Sequence, residues 1–134
     1  MNIEYKNTKS FTAQELQDLF LSVEWASGHY PEKLVTAMQN SGTVFSAWSN
    51  NKLIGLISVM DDGIMNAYIH YLLIDPEFQA KGIGKELVRI TTNKYKDYLR
   101  IILIAYEKET GFYQHCGFDI GKDKTPMFIT SLWT

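Results

Sequence analysis

The middle of the sequence reads as a strand, a glycine-containing loop, a helix and a second strand. The run NAYIHYLLID is apolar on both faces towards its end, as expected for a strand covered on two sides. The predicted helix that follows the loop carries Ile83, Leu87 and Ile90 on one stripe, and RIILIAY is a second apolar strand. Two strands joined through a helix run parallel. A sheet with a parallel β-α-β crossover is therefore predicted.

Helices and antiparallel strands are predicted on either side of this unit. Thr12 and Glu15 form a capping box for a first helix, and Pro31 suits the first position of a second. The β-rich runs TVFSAW and KLIGLISVM, joined by a short turn, predict a hairpin. The remaining predicted elements are a short helix through GFYQHCGF and two closing strands, FDIGK and PMFITSLW. This order indicates a mixed-sheet α/β or α+β fold, in which the parallel unit is the favoured place for a ligand.

Composition limits the classes of protein that the chain can belong to. With 134 residues and 46% hydrophobic content, residues 1–134 are predicted to form a single domain. One cysteine, Cys116, and three histidines give no cluster with metal-ligand spacing, so no metal is expected. The net charge of -2 and the interleaved charges argue against a nucleic-acid partner. Because no run has a signal-peptide core or the ~20 apolar residues of a membrane span, we expect a cytoplasmic protein without a membrane partner.

The loop between the first strand and the helix is suited to an anion. Free backbone N–H groups and the positive end of the helix dipole converge there, and Gly82 and Gly84 would let a phosphate touch the backbone. The structural alternative is that the two glycines only give the start of the helix room against a neighbouring strand. A dinucleotide fingerprint is excluded because Leu87 stands where its third glycine would fall, and a Walker loop is absent.

Two motifs, Q-x-x-G-x-G after LLIDPEF and GFYQHCGF, together resemble the GCN5-related N-acetyltransferase (GNAT) family. The sequence looks most similar to small bacterial-type members of uncertain substrate, in which YPEKL and DPEFQAKGIG recur. The resemblance implies a GNAT-like α/β (α+β) fold, with a mixed, mostly antiparallel central sheet flanked by helices and a central parallel β-α-β unit. It also implies transfer of an acetyl group from acetyl-CoA to a primary amine of a small molecule, by direct attack in a ternary complex.

The resemblance also assigns site residues. Contacts to the pyrophosphate of acetyl-CoA, mostly through backbone N–H, fall on Gln79, Ala80, Lys81, Gly82, Ile83, Gly84 and Lys85. Leu72, Leu73 and Ile74 fall on the strand that lies along the cofactor. Leu72 matches the position whose N–H polarises the acetyl carbonyl, and Ile74 matches a position that pairs with the pantetheine arm. Tyr113 matches the tyrosine that can protonate the CoA thiolate, with a core tyrosine as the alternative.

His70 is the candidate for removing the amine proton. Strand alternation predicts two faces, one with Tyr68, His70, Leu72 and Ile74 and the other with Ile69, Tyr71 and Leu73. A histidine general base stands at this position in the aralkylamine N-acetyltransferases that the sequence resembles, and imidazole titrates near neutral pH. A satisfied structural histidine is the alternative. Tyr71 and Ser58 replace an aspartate and an arginine seen in several relatives, so the resemblance does not fix the acceptor.

The acceptor pocket is predicted beside EWASGHY and the C-terminal TPMFITSLW. Its candidate residues are Trp25, His29 and Tyr30, although all three could instead cap the core. Acyl-cysteine chemistry at Cys116 is disfavoured, because neighbouring His115 points about 100 degrees away from it on a helix.

Two rival functions stay open at this stage: a CoA-binding regulatory module without turnover, and an enzyme acting on a protein, a peptide or an aminoacyl-tRNA. Tyr113 and His70 favour an enzyme over a module without turnover, and the near-neutral chain gives no sign of the acidic or basic face that a protein or an aminoacyl-tRNA would need. A homodimer would bury an open sheet edge.

Overall fold

A five-stranded sheet in the order β1-β2-β3-β4-β5 organises the computed structural model, which describes residues 2–134. All neighbouring strands are antiparallel except β4 and β5, which are parallel. The strands are β1 (Glu4–Asn7), β2 (Thr43–Ser49), β3 (Lys52–Asp61), β4 (Asn66–Ile74) and β5 (Arg100–Leu103). The mixed, mostly antiparallel sheet predicted from the sequence is confirmed.

Helices cover both faces of this sheet. They are α1 (Ala13–Ser22), α2 (Pro31–Asn40), α3 (Ile83–Lys94) and α4 (Thr110–His115). The capping box is present, since Glu15 N donates to Thr12 Oγ1 over 3.1 Å and Thr12 N donates to Glu15 Oε1 over 2.9 Å. Pro31 is the first residue of α2, as predicted. Within residues 2–134, none of the helices has both the length and the apolar composition of a membrane crossing.

Two apolar clusters separate the helices from the sheet. The first packs α1 and α2 against one face and includes Leu16, Phe20, Met38 and Leu56. The second packs α3 against the other face and includes Ile57, Ile69, Ile83, Leu87 and Val88. The predicted β-α-β crossover is confirmed as β4-α3-β5, with α3 buried along the stripe that its sequence indicates.

Both ends of the chain differ from the sequence prediction. The N-terminal strand β1 was not predicted because EYKN carries no apolar alternation, yet it pairs with β2 from Glu4 opposite Trp48. The prediction of two closing strands, FDIGK and PMFITSLW, was wrong, because residues 118–134 contain no helix or strand. Strand propensity reports fit to a neighbouring strand rather than an intrinsic backbone preference, and this segment has no such neighbour among the described residues.

Candidate active site

A cleft opens where β4 and β5 separate. Their pairing runs from Asn66 opposite Arg100 to Ile69 opposite Leu103 and ends there, while β4 continues to Ile74. A cavity of about 650 Å³ occupies the gap. It extends from the start of α3, past the end of β4, to α4. The parallel unit therefore does contain the main cavity, as the sequence predicts.

The backbone of β4 presents hydrogen-bond donors to this cleft. Asp75 N donates to Ile54 O of β3 over 2.8 Å. Because successive residues of a strand point their N–H groups to opposite sides, the N–H groups of Ile74 and Leu72 point away from β3 and into the gap. Leu72, Leu73 and Ile74 all line the cavity. Leu72 N–H is thus available to a carbonyl oxygen.

The loop before α3 contains two residues with positive φ. Gly82 is left-handed at φ 83° and precedes α3, and Ala80 also has positive φ, at 60°. The first helical bond is Glu86 N to Gly82 O, over 3.0 Å. Within residues 2–134, no side chain caps α3, so its first N–H groups are available to an anion.

All but one of the residues predicted to bind pyrophosphate line the cavity. Gln79 Nε2 donates to Ile74 O over 3.0 Å, which ties the loop to the end of β4. Lys81 is exposed and lies outside the cavity lining. The other predicted loop residues all line the cavity: Gln79, Ala80, Gly82, Ile83, Gly84 and Lys85.

Tyr113 lies on α4 and lines the same cavity. Its half-buried ring packs against Phe112 and Phe118, with centroids 5.1 and 6.0 Å away. Burial, reinforced by Glu109 and Cys116, raises the pKa of Tyr113 to about 12. The phenol is therefore protonated across the physiological range. Since an ordinary thiol has a pKa of about 8.5, a hydrogen bond from Tyr113 to departing sulfur is more favourable than complete proton transfer.

His70 occupies a β-bulge rather than a regular strand position. Ser58 pairs with Tyr71 while Val59 pairs with Ile69, so His70 is the extra residue. The predicted alternation is wrong on this account, because Ile69 packs in the same cluster as Leu72 and Ile74 instead of on the face of Tyr71. The bulge nevertheless leaves His70 in the cavity wall.

The surroundings of His70 suit a neutral imidazole. Its Nδ1 lies 3.3 Å from Tyr68 Oη, and its ring is 4.2 Å from that of Tyr71. Desolvation lowers the pKa of His70 from its ordinary value near 6.5. At neutral pH the ring is therefore uncharged and can accept a proton.

The pH dependence of turnover tests this role. A base is inactive once protonated, so the limb due to His70 is expected on the acid side, below about pH 6.5. Replacing His70 with Gln should remove this limb and lower kcat about a hundredfold. Tyr68→Phe, which keeps the imidazole, should retain the limb. An unchanged acid limb in His70→Gln would assign the titration to another group.

The predicted acceptor residues are only partly brought together. Trp25 lines the cavity and packs beside Tyr71, at 6.1 Å between centroids. His29 and Tyr30 are exposed, and neither residue lines the cavity. Tyr106 was missed by the sequence analysis, yet its ring is 6.5 Å from that of Trp25 and completes the wall. Its position just after a strand of the parallel unit was the available signal.

Cys116 and His115 are poorly placed for nucleophilic catalysis. Both lie outside the lining of the main cavity among the residues described. Burial raises the pKa of the Cys116 thiol, with Lys85 opposing the shift, so the thiol is protonated at neutral pH. Within residues 2–134, no three His, Cys, Asp or Glu side chains are grouped to hold a metal ion.

Comparison with known proteins identifies the family of the chain. The sequence profile described as "Acetyltransferase (GNAT) domain" matches residues 7–125. The chain therefore belongs to the GNAT family, whose members transfer acyl groups from acetyl-CoA. This confirms the resemblance carried by the two motifs, and with it the acyltransferase class.

Relatives include an uncharacterized N-acetyltransferase of Pyropia yezoensis, 29% identical over 87% of this chain and 70% of its own length. A histone acetyltransferase of Glycine max is 33% identical over 78% of this chain and 51% of its own length. A GCN5-related N-acetyltransferase from Arabidopsis thaliana is matched over 27% of its length, so the chain spans well under two thirds of several relatives.

Solved structures share the fold over nearly the whole chain. A GNAT-family acetyltransferase from Streptococcus pneumoniae superposes with a TM-score of 0.84 and 26% identity, covering 97% of this chain and 98% of that one. Glucosamine-6-phosphate N-acetyltransferase from Arabidopsis thaliana gives a TM-score of 0.72 at 13% identity, covering 97% and 100%. The second likeness concerns the fold alone.

Proposed function

We propose that this chain transfers the acetyl group of acetyl-CoA to a primary amine of a small molecule, by direct attack in a ternary complex. One observation carries the proposal: a single cavity contains the anion-binding start of α3, the Leu72 N–H, Tyr113 and His70. These are the groups needed to hold the donor, stabilise an oxyanion, assist a leaving thiolate and accept a proton.

The fit of acetyl-CoA rests on two features of the cavity. The uncapped start of α3 and the left-handed Gly82 suit a pyrophosphate, and the gap between β4 and β5 exposes strand N–H groups to an amide-bearing arm. Bound there, acetyl-CoA supplies an activated thioester. The residues of this chain hold it, and the Leu72 N–H donates to its acetyl oxygen.

The remaining side chains account for the protons. The nitrogen of the neutral amine forms a bond to the carbonyl carbon of the acetyl group, and the bond between that carbon and the CoA sulfur breaks. Neutral His70, directly or through a water, accepts the proton that the amine loses. Tyr113 donates a hydrogen bond to the sulfur as negative charge develops on it, and CoA leaves as the thiol once it gains a proton.

The acceptor side of the cavity favours an amine attached to an apolar or aromatic body. Trp25 and Tyr106 form one wall, and the carboxylates of Glu24 and Glu109 lie in the same lining. Aromatic faces attract both apolar groups and cations, and carboxylates attract an ammonium group before it loses its proton. These contacts support an amine as the acceptor.

Tyr106 offers a test of the acceptor wall. Tyr106 is 48% exposed and its aromatic contact is with Trp25, so replacing it should disturb the fold little. We expect Tyr106→Ala to raise KM for the amine about tenfold, through lost aromatic contact, with an unchanged Kd for acetyl-CoA. Tyr30→Ala, which removes an exposed tyrosine outside the cavity, serves as the control. An unchanged KM would remove Tyr106 from the acceptor site.

Initial-rate kinetics test the direct attack. A ternary complex requires both substrates to be bound together, so reciprocal plots at several amine concentrations should intersect. Cys116→Ala should keep more than about half of kcat because the thiol takes no part. Parallel lines, together with loss of turnover in Cys116→Ala, would replace the proposed mechanism with an acyl-cysteine route.

A further inference from the structure

Residues 119–133 expose a run of large apolar side chains. Met127, Ile129 and Trp133 have exposed fractions of 91%, 107% and 70%. In the described part of the chain, this segment makes no backbone-to-backbone hydrogen bond. Contiguous apolar surface on a soluble domain marks a place where another surface binds.

The segment has the composition of a strand, and both of its ends are held by its own chain. Phe128, Ile129, Thr130 and Trp133 are residue types enriched in strands. Before it, Phe118 packs against the second core cluster. After it, Thr134 O accepts from Ser27 N over 2.9 Å, and Thr134 Oγ1 accepts from Ala26 N over 2.8 Å. The apolar stretch between these anchors faces solvent.

The outer edge of β5 is a matching surface. β5 is the last strand of the sheet, so within residues 2–134 the backbone groups on its outer side have no partner strand. Ile102 and Ile104, in and just after β5, are 47% and 49% exposed. A groove of about 360 Å³ runs beside Ile104 and is lined in part by Leu103, Phe118 and Ile120. This edge has both unpaired backbone and apolar side chains.

We propose that residues 126–133 of one chain add as a strand to the β5 edge of a second copy, and that two copies exchange these segments reciprocally. Each copy has an open β5 edge and one strand-like segment, so a two-fold exchange pairs both segments with both β5 edges. Phe118 and Thr134 hold the two ends of the segment to its own chain, while the segment between them forms no strand on the β5 edge of that chain. This inference is independent of the acetyl-transfer proposal.

Sedimentation equilibrium of matched variants tests the exchange. The wild-type chain should sediment as a dimer, and Ile129→Lys should raise the dimer Kd about a hundredfold because a charge would be buried at the new strand. Ile64→Lys is the control, since Ile64 is also strongly exposed but lies in the β3–β4 turn. A monomeric wild-type chain, or equal dimerisation of Ile129→Lys, would overturn the proposal.

Disulfide trapping identifies which chain supplies the strand. In a Cys116→Ala background, Ile102→Cys is combined in turn with a cysteine at position 127, 128 or 129, since strand neighbours bring Cβ atoms within bonding range. At least one pair should form a covalent dimer under oxidising conditions. Disulfides within one chain, or no disulfide at any of the three positions, would contradict strand exchange.

Discussion

Gly84→Glu is expected to weaken acetyl-CoA binding at least about a hundredfold while the chain stays folded. Gly84 lies in the first turn of α3, where uncapped N–H groups line the cavity. A carboxylate placed there occupies the anion site and repels a pyrophosphate. Isothermal titration with acetyl-CoA measures the loss, and the thermal unfolding midpoint reports the fold.

Two further variants separate charge from size. A Cβ added at Gly84 would lie 3.6 Å from Phe112 Cζ and 3.8 Å from Ile74 Cγ1, which are ordinary contact distances. Gly84→Ala should therefore bind acetyl-CoA within a few-fold of the wild-type chain. Gly84→Gln matches glutamate in size without its charge and should fall between the two. Unchanged affinity in Gly84→Glu would mean that the loop does not bind the donor.

Tyr113→Phe is expected to lower kcat about a hundredfold and to change the Kd for acetyl-CoA less than about twofold. The substitution removes one hydroxyl from the cavity wall and keeps the ring between Phe112 and Phe118. In the proposed mechanism the lost interaction is made with the departing sulfur, so it would stabilise the transition state more than the bound substrate. Single-turnover kinetics measure this step without interference from product release.

Tyr98→Phe provides the matched control, because it removes a phenol that packs against Tyr95 outside the main cavity. Its single-turnover rate should equal that of the wild-type chain. The same rate in Tyr113→Phe would exclude Tyr113 from the chemistry.

Short-range signals in the sequence predicted much of this molecule. The Thr12 capping box and the Pro31 helix start depend on residues within one turn of each other, so the sequence alone shows them. The start of α3 after Gly82 was also predicted, because the loop and the apolar stripe of the helix lie within a few residues of each other.

Features that depend on pairing between strands, or on contacts between distant segments, could not be predicted from the sequence. The bulge at His70 is visible only in its pairing against Ser58 and Val59, and it moves Ile69 to the other face. Tyr106 meets Trp25 through the fold, across a long sequence separation. The C-terminal PMFITSLW has strand-forming residues, yet a strand needs a partner, which residues 2–134 do not give it here.

Release of CoA from acetyl-CoA is the most direct test of the proposed function. The purified chain would be incubated with acetyl-CoA and a panel of aralkylamines, polyamines, amino acids, aminoglycosides and lysine peptides, with free thiol as the readout. The structure predicts release above the no-amine background, strongest for small primary amines on apolar or aromatic bodies. Silence across the panel, with acetyl-CoA shown to bind, would contradict the proposed enzyme and favour a CoA-binding module without turnover.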